Sequence, residues 1–192
     1  MFYKKYKKYS FLFFLFLLCS FGNTIDTNYT RIFIPKGIPF SFPLEYKFWV
    51  KQVSGSAYFT DESTYNLQNS HQLDWNKLTG ISFTPWRTDT DALMIAWRYN
   101  VKYDYFEIAP YFNVKTARIL PLKNETIKIE KYNPFSFQIN YKGISINYFN
   151  QSIIKEKPID LVTRFITSFR VITWFGGSEL PPCDIYLYLN LF

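Results

Sequence analysis

Apolar and polar positions alternate along most of this chain. "RIFI" (31–34) stops at Pro35, and Gly37 and Pro39 punctuate the next few residues. "EYKFWVKQV" (45–53) sets Tyr46, Phe48 and Val50 against Lys47 and Lys51, the period of two that predicts a half-buried strand. "SAYFT" comes next, then a polar stretch from Asp61 to Asp74 that reads as a long loop. "KLTGISF" and "DALMIAWRY" are the next strands, with Asp89-Thr90-Asp91 read as a polar turn ahead of the second. "YDYFEIAPYFNV" groups Phe106, Ile108 and Phe112 on one face, and "ETIKIEKY" sets Ile127 and Ile129 against Lys128 and Glu130. "FSFQINYKGISINYF" predicts a hairpin turning at Lys142-Gly143, where glycine supplies a positive φ. "TSFRVITW" runs to Gly176-Gly177, and "DIYLYLNLF" closes the chain. The best helical candidate, "KPIDLVTRF" (157–165), is short and starts at a proline.

Ten to twelve short strands with closely spaced turns predict an all-β fold, a two-sheet antiparallel β-sandwich of jelly-roll or lectin-like type. The domain is expected to span 31–192, after a spacer at 23–30. Trp97 and Trp174 fall inside strand runs and are expected in the core.

The first 22 residues obey other rules. Lys4, Lys5, Lys7 and Lys8 precede an unbroken apolar run from Phe11 to Cys19, and Ser20-Phe21-Gly22 comes after it. That is the order of a signal peptide, with cleavage at Gly22. The run is far short of the roughly 20 residues a spanning helix needs, so no transmembrane span is expected in the mature chain. Cys19 at the end of the run raises the alternative of a lipoprotein. Leu18 stands where a small residue is wanted, and ordinary cleavage is preferred. Either way the protein is expected to be exported: periplasmic, on the outer surface or extracellular.

The leader also changes the charge picture. The whole chain carries +7. Removing the four leader lysines leaves 18 basic residues against 15 acidic, a mild and scattered +3. That is too little to argue for a nucleic-acid surface, and no nucleic-acid partner is expected. The mature part keeps one cysteine, Cys183, and so has no internal disulfide.

Candidate chemistry is sparse. His71 is the sole histidine and has no metal-ligand spacing to Cys183. Asp89 and Asp91 begin like a calcium loop, but the sequence turns apolar at once. Asp104 and Glu107 alternate across a strand and do not form the facing carboxyl pair of a glycosidase. Serine-hydrolase, phosphate-loop and nucleotide motifs are absent, and no catalytic residue, metal or cofactor is expected.

Aromatics are the residue type in excess, at 22% with five tryptophans. A sugar ring stacks on an aromatic plane while polar groups orient it. Trp75 and Trp86, at loop edges, are therefore the candidate ligand-binding aromatics, with Arg87, Asp89 and Asp91 as the candidate polar ligand-binding residues beside them.

Four blocks resemble a family of exported β-sandwich proteins typical of Bacteroidota, to which no activity is assigned. They are "IPKG" (34–37), "SAYFT" with "DWNKLTGIS" (56–60 and 74–82), "DALMIAWRYN…YFEIAPYF" (91–112) and "WFGGSELPPCDIYLYL" (174–189). The resemblance implies the fold and export. Where that family tends to carry a histidine pair, this chain has Arg87-Thr88-Asp89-Thr90. Where it has Ala-Pro-His-Asp, this chain has Pro181-Pro182-Cys183-Asp184. The expected function is a non-catalytic module binding a glycan or cell-surface component. The alternatives are a structural envelope protein and a lyase-type carbohydrate-active enzyme using Tyr and Arg.

Overall fold

The computed structural model describes residues 28–192. The leader readings, including Cys19 and Gly22, lie outside the described residues. Twelve strands in two antiparallel sheets pack face to face as a β-sandwich, as the alternation predicts. Sheet I runs in the order β1 (Thr30–Ile34), β12 (Ile185–Leu191), β2 (Gln52–Phe59), β8 (Phe135–Asn140), β9 (Gly143–Tyr148) and β10 (Gln151–Glu156). Sheet II runs β11 (Phe169–Val171), β3 (Asn76–Thr84), β4 (Arg87–Asn100), β5 (Tyr105–Val114) and β6 (Ala117–Ile119). A further strand, β7 (Ile127–Ile129), also pairs with β5.

The first and last strands close sheet I side by side, with Arg31 opposite Tyr188 and Phe33 opposite Tyr186. On β5 the outer pairing is split. β7 takes Phe106–Ile108 and β6 takes Phe112–Val114. The gap falls around Pro110, which has no N–H to offer a neighbour. It leaves the middle of β5 without an outer strand partner, although these residues are buried.

One residue in two from each sheet enters the core. Leu93, Ile95, Trp97 and Tyr99 of β4 and Phe106, Ile108 and Phe112 of β5 meet Phe59, Phe135, Phe137, Ile139 and Leu187 of sheet I. Phe59 lies at the centre, with its ring 4.3 Å from that of Phe106 and 5.3 Å from that of Trp97. Side chains of this size each contribute about 1.5–3 kcal/mol on burial.

Several local expectations need correction. Residues 45–53 form no regular strand until β2 begins at Gln52; Phe48 makes an isolated bridge to Phe169, and Trp49 turns the chain with φ 56. "KPIDLVTRF" forms no α-helix, only a 3₁₀ turn beginning at Phe165. The hairpin turn is Tyr141-Lys142, and Gly143 already belongs to β9. Its glycine is needed for space, since a Cβ there would lie 2.2 Å from the Lys155 carbonyl oxygen. Asp89-Thr90-Asp91 is not a turn. It lies within the long strand β4, and the chain reverses earlier, at Pro85-Trp86. Trp97 is fully buried, as expected, but Trp174 is 39% exposed.

Among the described residues no helix is long and apolar enough to cross a membrane.

Candidate functional site

The outward face of sheet II differs from an ordinary solvated sheet surface. Cross-strand register arranges it in rows. Trp174, Lys77, Ala96 and Ala109 make one row. Arg98, Glu107 and Lys128 make the next, roughly 7 Å along the strands. On the other side lie Gly80, Met94 and Tyr111, and beyond them Ser82, Ala92, Asn113 and Arg118. Trp75, Ala92, Met94, Ala96, Ala109, Tyr111 and Val171 form an apolar cluster separate from the main core. All seven are at most 9% exposed, so the accessible parts of this face are the longer side chains around them, Lys77, Arg98 and Trp174.

Beside them lies a cleft of about 570 Å³, lined among others by Trp75, Arg98, Tyr105, Glu107, Lys123 and Lys128. Arg98 is fixed there from three sides. Its Nε donates to the Glu107 carboxylate, its Nη1 donates to the Leu73 carbonyl at 2.9 Å, and its guanidinium lies 4.1 Å from the centre of the Trp75 ring. Lys128 Nζ lies 4.9 Å from the centre of the Tyr105 ring. The cleft therefore offers held cations and aromatic faces together, which suits an anionic, ring-containing ligand.

Lys77 sits at the centre of the face. Its Nζ donates to the Trp75 carbonyl at 3.3 Å and lies 5.3 Å from the centre of the Tyr111 ring. Gly176 gives it room, since a Cβ there would come within 2.4 Å of Nζ. Gly177 holds φ 92, and the Asp74 carboxylate accepts from the Ser178 amide, which anchors this glycine corner. Among the described residues no carboxylate is within ion-pairing distance of Lys77. Burial, with a smaller push from Arg118, drives its pKa down to about 8. Burial also raises the pKa of the Tyr111 phenol, so it keeps its proton. Lys77 is thus an amine with a lowered pKa beside a phenol that keeps its proton.

The residues chosen from sequence do not form one site. Trp75 is only 9% exposed and belongs to the cleft through its contact with Arg98. Trp86 lies beyond the opposite end of β3, across roughly 25 Å of strand. Arg87 and Asp89 pair with each other at 2.9 Å, and Asp91 accepts from the Lys115 amide at 3.3 Å. Lys77, Arg98, Tyr111 and Trp174 were not singled out from sequence. The available signal was the run of Ala92, Met94 and Ala96 alternating with core residues, which makes both faces of one strand apolar or small.

His71 Nδ1 lies 3.1 Å from the Asp74 carboxylate. Among the described residues no three or more His, Cys, Asp or Glu side chains gather as a metal ion would require.

No family profile matches the sequence. A comparison with curated proteins likewise finds no match. Among solved structures the fold is similar to that of an alginate lyase from Chlorella virus, with a TM-score of 0.53 and 10% identity over 88% of this chain and 86% of that one. At that identity the likeness concerns the β-sandwich fold.

Proposed function

We propose that the protein binds an acidic polysaccharide across the outward face of sheet II and cleaves it by β-elimination. The observation that carries this reading is the part-buried Lys77 amine, set over the Tyr111 ring one row from the held guanidinium of Arg98. Arg98 and Lys128 meet the carboxylate of a uronate residue, which acidifies the neighbouring carbon. The neutral Lys77 amine takes the C5 proton, and the C4–O bond to the leaving sugar breaks. The Lys77 ammonium so formed returns the proton to the departing oxygen, and a C4=C5 double bond remains. The fold-level likeness to a lyase acting on alginate supports this reading as analogy.

The test is incubation of the mature protein with polyuronates, tracking the ultraviolet absorbance of the unsaturated product. The expected result is absorbance growth that Lys77→Ala abolishes while polysaccharide binding persists. Growth unaffected by the substitution would remove Lys77 from the chemistry.

A non-catalytic binding module is the second reading. It is favoured by the Glu107 carboxylate, which already neutralises Arg98. Binding by the wild type without any product would select it.

A further inference from the structure

The reversal between β3 and β4 is two residues long, and Trp86 holds φ 60 within it. That left-handed backbone costs a residue with a large side chain about 1–2 kcal/mol, so glycine or asparagine ordinarily takes such a place. Burial does not compensate, because Trp86 is 69% exposed. Yet the indole is not loose. Phe48 and Tyr46 meet it at 5.2 and 5.8 Å with rings at 71° and 69°, and Phe169 lies 6.5 Å away. Three aromatic neighbours fix the ring and leave much of it open to solvent.

This platform belongs to the outward face of sheet II. Val171 is part of that face's apolar cluster, and Phe169, two residues earlier on β11, points the same way. Phe48 bridges Phe169 and carries the Trp86 ring beside it. Two of the charges nearby are paired, Arg87 with Asp89 and Arg170 with Glu45. Lys47 lines the cavities at the sandwich edge with Arg170. The part of the platform left open is the indole plane itself, which suits the face of a sugar ring better than an anionic lipid surface.

We infer that Trp86 is a remote subsite of the same face, stacking on a sugar ring of a polysaccharide chain whose carboxylate is held at Arg98. The inference rests on the reading of that face as an acidic-glycan site. The span from the Trp75 end of β3 to Trp86 is several sugar residues long. Short oligouronates therefore occupy the cleft alone, and only longer ones reach the platform.

The experiment measures affinity for uronate oligosaccharides of increasing length, using wild type, Trp86→Ala and Trp86→Gly. The glycine variant fits the left-handed backbone, and thermal unfolding confirms that both variants fold. Wild-type affinity should rise in a step once the chain spans the face. Both variants should lose that step, binding long oligomers about three- to tenfold more weakly and short ones unchanged. A step that survives in both variants overturns the subsite and leaves the glycan reading standing. Absence of binding by the wild type at every length overturns both.

Discussion

Replacing Lys77 by Met tests the physical basis of the proposed base. In the folded protein burial drives the Lys77 pKa to about 8, against 10.5 ordinarily. Below about 8 the folded and unfolded chains both carry the charge, and the folded one bears its full desolvation cost. As pH rises through 8 the folded amine gives up its proton while the unfolded one keeps it, so the wild type gains stability up to the unfolded value. Between about pH 7 and about pH 10 the gain is about 2.5 kcal/mol at ~1.4 kcal/mol per pKa unit, and partial hydration reduces it to about 2 kcal/mol. Lys77→Met serves as the reference, since every other titrating group is common to both proteins. The lost hydrogen bond to the Trp75 carbonyl is worth about 1 kcal/mol and cancels in the comparison of the two pH values. Urea unfolding monitored by tryptophan fluorescence reads the difference. The account expects wild type to gain about 2 kcal/mol on Lys77→Met from the lower to the higher pH. An unchanged difference would mean that the amine is hydrated, and its role as base would fall.

The packing has other measurable consequences. Phe59→Ala removes a ring held between Phe106, Trp97 and Phe135 and should cost about 3–5 kcal/mol, read as a lowered urea midpoint. Arg98 and Glu107 are both largely buried, so Arg98→Ala, Glu107→Ala and the double variant should show a coupling energy of about 1–3 kcal/mol in a double-mutant cycle. Additive losses would show that the pair does not hold Arg98. Lys131 bridges the carboxylates of Asp61 and Asp104 at 2.9 and 2.6 Å and holds both below the usual carboxylate range. Their contribution to stability is present above the ordinary carboxylate pKa and is lost as pH falls through the lowered folded values. Lys131→Ala should move both carboxyl titrations upward in NMR; unmoved titrations would contradict the bridge.

Much of the fold was legible because alternation is a local property. β7, β8, β9 and β12 lie where Ile127–Ile129, Phe135–Ile139, Ile144–Tyr148 and Ile185–Leu189 mark a buried side. The same rule misled at 45–53, where φ 56 at Trp49 interrupts the run and only an isolated bridge joins Phe48 to Phe169. The site was much less legible, because register brings together residues that are distant in sequence. Trp174 reaches Lys77 from almost a hundred positions away, and Tyr111 reaches it across Met94 and Ala96. A tryptophan inside an apolar run reads as core unless its pairing partner is known. Trp75, chosen as an exposed platform, is instead nearly buried and lies as the plane beneath Arg98.

The central claim is that the outward face of sheet II takes the glycan, and chemical-shift mapping with a uronate oligosaccharide tests it most directly. The account predicts perturbed signals at Lys77, Ala96, Arg98, Ala109 and Tyr111, with β8, β9 and β10 unmoved. Perturbations confined to sheet I, or none at saturating oligosaccharide, would contradict it.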